Sequence, residues 1–214
     1  MSIDAYLHHA EKGLVHDAAG KTRAGTLAFG FHGTGGNEMQ MVPLLRDLLP
    51  EAAIVAPRGD VSEHGAPRFF LRRAEGVYDM ADLARATAKL GEFVAAHVEA
   101  MRPARVVGLG YSNGANILAS VIFSRPSLFT DAVLMHPLIP WAPKAMDVRT
   151  RVLITAGEND PICPPSMTRS LESWFVSHAT SVEVIWHPGG HEIAPAEIAG
   201  TARFLGTPAL TRSE

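Results

Sequence analysis

The chain has 214 residues, of which 47% are hydrophobic and 19% charged, and this composition excludes an intrinsically disordered protein. A chain of this length fits one domain, so we predict a single domain over residues 1–214. The formal net charge of -3 creates no field that would attract nucleic acid or an anionic membrane surface. We therefore expect no nucleic-acid partner.

Cys163 is the only cysteine, which excludes an intramolecular disulfide and a zinc site built from paired thiolates. We expect the Cys163 thiol to be a small packed side chain rather than a reactive group. Residues 1–12 lack the basic start and the apolar run of a secretory signal. The longest apolar stretch, 117–123, is far shorter than the roughly 20 residues that span a bilayer. We predict a cytoplasmic protein without membrane insertion.

Short apolar runs alternate with stretches of helical periodicity, which predicts an α/β fold whose mostly parallel sheet has helices on both faces. Residues 3–20 suggest one or two antiparallel edge strands, on a weak pattern. The predicted strands are 25–31, 53–56, 105–109, 132–135, 151–155 and 182–186, and the predicted helices are 39–48, 79–101, 113–123, 166–178 and 195–205. So little chain remains between these elements that no large lid domain is expected.

One long stretch, 57–76, has no clear periodicity, and a loop of that length in a compact domain is usually functional. We predict that it forms a wall of the substrate pocket. Phe69 and Phe70 are candidates to contact an acyl or aryl group, and Arg68 is a candidate to bind a carboxylate. The alternative is equally strong: the phenylalanines anchor the loop to the core and the arginine faces solvent.

The strongest motif is G-x-S-x-G at residues 110–114, where an apolar strand runs into Ser112 and continues as a helix. A nucleophile on such a tight turn has a strained backbone, and glycines on both sides let strand and helix approach closely. The amino end of the helix favours negative charge beside the serine. A serine that only capped a helix would not need both glycines, so Ser112 is the predicted nucleophile.

A serine nucleophile needs a base that is held in the right tautomer by a third group, and in this fold the acid and then the histidine follow the serine in the chain. Asp160 follows a predicted strand and precedes a proline-rich turn, which favours it over Glu158 as the acid. His191 follows a pair of glycines and is preferred as the base over His187. The strand that ends at His136 makes that residue a candidate to line the site.

An acyl-transfer intermediate carries an oxyanion that needs N–H donors already in place. We predict the backbone amide of Asn113, directly after the nucleophile, and the amide of Thr34 in the glycine-rich turn 32–37. A phosphate-binding loop is a competing interpretation of that turn, but both G-x-G-x-x-G and a G-K-[ST] ending are absent from it.

The segments HGTGGN, APRGD with PRFF, GYSNGA, GENDP and GGHE occur in the order found in one family. From about residue 24 to 205, the chain resembles the compact carboxylesterase and phospholipase branch of the α/β-hydrolases, which is related to acyl-protein thioesterases. It is most similar to small bacterial hydrolases with HGTGG that are often associated with quinone or aromatic-compound stress. The resemblance implies a triad of Ser112, Asp160 and His191, an oxyanion hole of the Thr34 and Asn113 amides, and a homodimer. Asn113 stands where many relatives have glutamine, which weakens any transfer of their substrates.

The leading hypothesis is a serine carboxylesterase that hydrolyses small or aryl esters through an acyl-enzyme, without cofactor or metal. A thioesterase or a lactone hydrolase would use the same triad. A non-catalytic module that binds an aromatic ligand is the hypothesis from another class.

Overall fold

The computed structural model describes residues 2–11 and 25–206, and a seven-stranded sheet forms its centre. Its strands are β1 (His8–Glu11), β2 (Thr26–Phe31), β3 (Ala53–Pro57), β8 (Arg105–Tyr111), β9 (Asp131–Met135), β10 (Val148–Gly157) and β11 (Ala179–His187). The order across the sheet is β1-β3-β2-β8-β9-β10-β11. Only β1 pairs in an antiparallel sense, and the remaining pairs are parallel.

Five helices cover the two faces of the sheet: α1 (Val42–Leu48), α2 (Met80–Met101), α3 (Asn113–Ser124), α4 (Pro165–His178) and α5 (Pro195–Gly206). Helices α2, α3 and α4 pack into the core on one face, and α1 and α5 pack on the other. This arrangement confirms the predicted α/β fold. None of the helices among the described residues is long and apolar enough to cross a membrane.

Strand β2 contributes side chains to the hydrophobic cores on both faces of the sheet. Leu27, Phe29 and Phe31 point to the α2 and α3 side, whereas Ala28 points to the α1 and α5 side. Successive side chains of a strand point to opposite faces, so a strand covered on both faces is apolar throughout rather than alternating. The continuous apolar runs in the sequence therefore mark buried parallel strands.

The predicted elements match the observed ones, and the main differences lie at their ends. Helix α1 begins at Val42 rather than at residue 39, because the preceding residues form turns and Pro43 lies in its first turn. Strand β10 begins at Val148, earlier than predicted. One of the edge strands predicted within 3–20 is β1, and the rest of that stretch falls largely outside the described residues.

The stretch 57–76 is more regular than its sequence suggests. It contains the short hairpin of β4 (Val61–Glu63) with β5 (Ala66–Arg68) and begins a second one, in which β6 (Arg72–Ala74) pairs with β7 (Val77–Tyr78) just beyond the stretch. Glu63 contacts the guanidinium groups of Arg68, at 3.1 Å, and Arg72, at 3.0 Å. The first ion pair lies within the β4–β5 hairpin, and the second connects that hairpin to β6.

Candidate active site

Ser112 occupies the sharp turn between β8 and α3. Its φ of 52° and ψ of -115° lie in a region that L residues rarely adopt, so the backbone there is strained. The amide of Ser112 donates to the carbonyl of Met135 on β9, at 2.8 Å, which fixes the turn to the sheet. The serine hydroxyl thus stands above the carboxyl ends of the strands, at the amino end of a helix.

The glycines on both sides of Ser112 are sterically required. A Cβ on Gly110 would lie 2.5 Å from the carbonyl oxygen of Gly114, and a Cβ on Gly114 would lie 2.1 Å from the carbonyl oxygen of Phe31. Both contacts are with backbone, which cannot move aside cheaply. The first turn of α3 therefore packs directly against β8 and the end of β2.

The structure brings Ser112, His191 and Asp160 into one hydrogen-bonded chain. His191 Nε2 lies 2.9 Å from Ser112 Oγ, and His191 Nδ1 lies 2.8 Å from Asp160 Oδ2. The loop that carries Asp160 and the loop that carries His191 are joined by the backbone N–H of Asn159, which donates to the carbonyl of Gly189 at 3.0 Å. This arrangement can remove a proton from the serine hydroxyl and stabilise the imidazolium that results.

The structure also places the residues that were weighed against Asp160 and His191. Glu158 is exposed, whereas Asp160 is buried and contacts the imidazole. His187 is buried, and its Nε2 faces Glu197 Oε2 at 3.3 Å. Neither alternative lines the cavity that contains Ser112.

Asp160 is held by N–H donors on both of its oxygens. Oδ1 accepts from the amides of Ile162, at 2.8 Å, and Cys163, at 2.9 Å. Oδ2 accepts from His191 and from Nδ1 of His136, at 2.9 Å. Burial tends to raise the pKa of Asp160, but these hydrogen bonds outweigh it and lower that pKa. Asp160 is therefore a carboxylate near neutral pH.

The predicted oxyanion donors lie beside the nucleophile. Thr34, Ser112 and Asn113 line the same cavity. Within the described residues, the amides of Thr34 and Asn113 have no hydrogen-bond acceptor, so both are free to bind an anion. By contrast, the Gly33 amide donates to Gln40 Oε1 at 2.8 Å, and the Gly35 and Gly36 amides donate to backbone carbonyls. This use of the glycine amides disfavours a phosphate-binding loop.

The cavity above Ser112 is small and has a charged rim. It measures about 210 Å³, and its wall includes Arg68, Arg72 and Glu75 from the stretch 57–76. Arg68 is almost fully buried, and its guanidinium donates to Thr34 Oγ1 at 2.6 Å and to the carbonyl of Phe70 at 3.2 Å. Arg68 therefore does not face solvent, as the alternative expected, but is placed to hold the Thr34 turn. Its binding of a substrate carboxylate stays a prediction.

Phe69 and Phe70 are placed differently from the substrate-contact prediction. Both rings are fully buried in the core on the α2 and α3 side, and neither lines the cavity. Their position matches the alternative expectation that they anchor the stretch to the core. The Phe69 amide also donates to Asn113 Oδ1 at 2.9 Å, so the loop is fastened to the residue next to Ser112.

Sequence reasoning missed two residues that organise the site. The hydroxyl of Tyr111 donates to the backbone carbonyl of His191 at 2.7 Å. Glu197 accepts from the amide of Ala194 at the start of α5, and its Oε1 lies 3.0 Å from His136 Nε2. A glutamate in the first turn of a predicted helix is a capping signal, but its contact with His136 could not be read from the chain.

Comparisons with known proteins agree with this geometry. A family model described as serine hydrolase (FSH1) matches residues 70–197. The protein MhqD of Bacillus subtilis (strain 168) is 38% identical over 170 residues, which cover 78% of this chain and 85% of that protein. The crystal structure of the protein Atu2452 from Agrobacterium tumefaciens str. C58 is 49% identical, with a TM-score of 0.87 over 96% of this chain and 98% of that one. A Bacillus cereus carboxylesterase is 34% identical, with a TM-score of 0.84 over 94% and 93% of the two chains.

The parallel sheet, the turn at Ser112 and the loops that carry Asp160 and His191 define an α/β-hydrolase. Within that class, the chain belongs to the FSH1 family of serine hydrolases, and it is a hydrolase of the esterase type.

Proposed function

We propose that the protein is a carboxylesterase that hydrolyses small carboxylic esters through an acyl-enzyme on Ser112. The observation that carries the proposal is the chain from Ser112 Oγ to His191 Nε2, at 2.9 Å, and from His191 Nδ1 to Asp160 Oδ2, at 2.8 Å. A geometry of this kind lets one imidazole accept the serine proton and later return it to the leaving group.

In the proposed mechanism, Ser112 Oγ attacks the ester carbonyl carbon while His191 Nε2 takes the hydroxyl proton. The amides of Thr34 and Asn113 bind the oxyanion, and the dipole of α3 adds to that stabilisation. The intermediate collapses when the alcohol leaves with the proton from His191. Water then attacks the acyl carbon while giving a proton to His191, and His191 passes that proton to Ser112 Oγ as the carboxylic acid leaves.

The size of the cavity supports a small substrate. Ligand pockets for drug-sized molecules span roughly 300–1,000 Å³, and the 210 Å³ cavity falls below that range. A short acyl chain or an aryl ester fits a space of this size, whereas a long acyl chain would extend into solvent. We expect turnover to fall as the acyl chain lengthens.

The test is a substrate panel on the purified protein. p-Nitrophenyl acetate and butyrate are expected to be hydrolysed, with kcat/KM falling at longer chains, and a fluorophosphonate probe is expected to label Ser112 once per chain. Ser112→Ala is expected to remove at least about 10⁴-fold of the activity and all of the labelling. Activity that survives in Ser112→Ala would rule out the acyl-enzyme route.

Thioester and lactone cleavage pass through the same kind of intermediate. Matched oxoester, thioester and lactone substrates with the same acyl group separate these activities. A kcat/KM that is highest for the thioester or the lactone would replace the carboxylesterase assignment.

A further inference from the structure

A buried chain of ionisable side chains continues from Asp160 into the protein. Asp160 Oδ2 accepts from His191 Nδ1 and also from His136 Nδ1, at 2.9 Å. On the far side of that second ring, His136 Nε2 lies 3.0 Å from Glu197 Oε1, and Glu197 Oε2 lies 3.3 Å from His187 Nε2. The side chains of His136 and Glu197 are both 0% exposed.

The surroundings of His136 determine where its protons lie. Both ring nitrogens face carboxylate oxygens, which only accept hydrogen bonds. If the ring were neutral, the lone pair of Nε2 would face Glu197 Oε1 at 3.0 Å in a dry interior. A second proton removes that repulsion, although the contact is not well aligned as a hydrogen bond. The ring is therefore best described as an imidazolium between two carboxylates.

The pKa directions agree with this geometry. Burial lowers the pKa of His136, but the contacts with Glu197 and Asp160 outweigh burial and raise it. Burial likewise raises the pKa of Glu197, and the contacts with His136 and Thr155 lower it below its usual range. Both partners therefore favour their charged forms.

A metal ion is the competing occupant of this cluster, because His136, His187 and Glu197 place ligand atoms close together. The amide of Gly189, however, donates to His187 Nδ1 at 3.1 Å, which puts the proton of a neutral His187 ring on Nε2. A metal would need the Nε2 lone pair that this proton occupies. The hydrogen bonds thus favour a proton network over a metal site.

We propose that His136 is a positioning residue of the hydrolase site, held as an imidazolium between Glu197 and Asp160 so that it orients Asp160 and balances part of its charge. The proposal rests on the proposed function, in which Asp160 stabilises protonated His191. An Asp160 carboxylate whose negative charge is partly neutralised by His136 stabilises protonated His191 less. The acidic side of the pH profile of activity is then expected at lower pH, so the site works further into the acidic range.

Several other polar groups surround His136. The His191 and His187 rings lie 5.1 and 5.5 Å away, the Tyr111 ring lies 6.0 Å away, and Cys163 Sγ donates to the His136 carbonyl at 3.1 Å. Burial raises the pKa of Tyr111 to about 12 and also raises that of Cys163, so both stay protonated and uncharged. The charges in contact with His136 are therefore those of Asp160 and Glu197, and the exposed carboxylate of Glu192 adds a weaker negative charge further away.

Two variants remove the charge on His136, and Glu197→Gln does so with little change of shape. Glu197→Gln keeps an oxygen for the Ala194 amide and turns an N–H toward His136 Nε2, which leaves that ring neutral. His136→Asn keeps an N–H donor toward Asp160 but carries no charge. We expect the acidic side (the acid limb) of the pH profile of kcat/KM for p-nitrophenyl acetate to move to higher pH by about one unit in His136→Asn. The shift should have the same direction but be smaller in Glu197→Gln, because that variant also removes the more distant negative charge of Glu197.

The matched control is Thr201→Val, one turn further along α5. Thr201 is fully buried, and its hydroxyl has no partner among the described residues. Thr201→Val should leave the acid limb of the kcat/KM profile at its wild-type pH. An acid limb that also stays in place in folded Glu197→Gln and His136→Asn, with only the Tm lowered, would mean that the cluster is merely structural and would overturn the proposal.

A readout that needs no activity separates this inference from the proposed function. In protein labelled with ¹⁵N-histidine, we expect both ring nitrogens of His136 to be protonated at pH 7 in the wild type and one in Glu197→Gln. A neutral His136 in the wild type, or one equivalent of bound metal in the purified protein, overturns the inference. Failure of Ser112 to react with fluorophosphonate would instead count against the proposed function.

Discussion

The hydroxyl of Tyr111 donates to the backbone carbonyl of His191 at 2.7 Å, so the residue before the nucleophile holds the loop of the base. The two rings lie 5.4 Å apart. Burial raises the pKa of Tyr111 to about 12, which keeps its hydroxyl a donor throughout the working pH range. The distance between nucleophile and base is thus set by a contact between the end of β8 and the loop that carries His191, and not by the sheet alone.

Tyr111→Phe should lower kcat by about tenfold, because a base displaced by a fraction of an ångström transfers protons less well. The loss of one hydrogen bond should cost about 1 kcal/mol of unfolding free energy. Steady-state kinetics and urea unfolding measure the two effects. The control is Tyr6→Phe, because the buried Tyr6 hydroxyl has no acceptor among the described residues. A kcat that falls equally in the control would contradict the role given to Tyr111.

Ser112→Gly should be more stable than Ser112→Ala, although both are inactive. The φ of 52° and ψ of -115° suit only glycine well, and a strained residue of this kind costs on the order of 1–3 kcal/mol. Part of that gain is offset by the greater entropy of glycine in the unfolded chain, roughly 0.5–1 kcal/mol. Thermal unfolding of the two variants compares them directly. Equal or reversed stabilities would show that the turn is not strained.

Gly114→Ala should destabilise the fold by about 3 kcal/mol or more, because its Cβ would meet the Phe31 carbonyl oxygen at 2.1 Å. Gly206→Ala provides the control, since a Cβ there meets nothing within 4 Å. That change should alter stability by no more than about 0.5 kcal/mol. Chemical denaturation of both variants provides the comparison, and a mild effect at Gly114 would mean that α3 can shift away from β2.

Asn113→Ala should loosen the stretch 57–76, because the buried Phe69 amide loses its acceptor. An unsatisfied buried donor costs about 1–3 kcal/mol. We expect faster limited proteolysis within this stretch and a higher KM, while the Asn113 backbone amide remains available. Asn37→Ala, which removes an exposed turn contact with the Met39 amide, should leave the proteolysis rate unchanged. A cleavage rate that is identical in the two variants would contradict this role of Asn113.

The extra stability of the wild type over His136→Asn should shrink as pH rises above about 6.5, the ordinary histidine value. A histidine whose pKa is raised by folding holds its proton more tightly in the native protein than in the unfolded chain. Its stabilisation is complete below the unfolded pKa and is lost as pH passes the folded pKa. Urea unfolding of both proteins from pH 5 to 9 measures the difference. A difference that grows with pH would indicate a neutral native His136.

Much of the fold and of the candidate site could be predicted because the sequence patterns that indicate them lie within short stretches of the chain. Buried parallel strands are apolar throughout, and the glycines that surround Ser112 sit between a strand and a helix in the sequence itself. The hairpins at 61–68 and 72–78 escaped prediction because strands of two or three residues show no periodicity and depend on ion pairs such as that of Glu63 with Arg72. The contact of His136 with Glu197 is long-range, so only the folded chain reveals it.

Part of the wall of the cavity comes from one continuous stretch between β3 and α2, which contributes Arg68, Arg72, Glu75 and Tyr78, whereas nucleophile, acid and base come from three later loops. This separation along the chain has an evolutionary consequence. Exchanges at Arg72 or Glu75 can reshape what the cavity admits, whereas Arg68 and Phe69 have to stay because they hold the Thr34 turn and Asn113. A chimera that takes the rest of this stretch from another hydrolase and keeps these two residues is therefore a direct route to new ester selectivity on the same chemical apparatus.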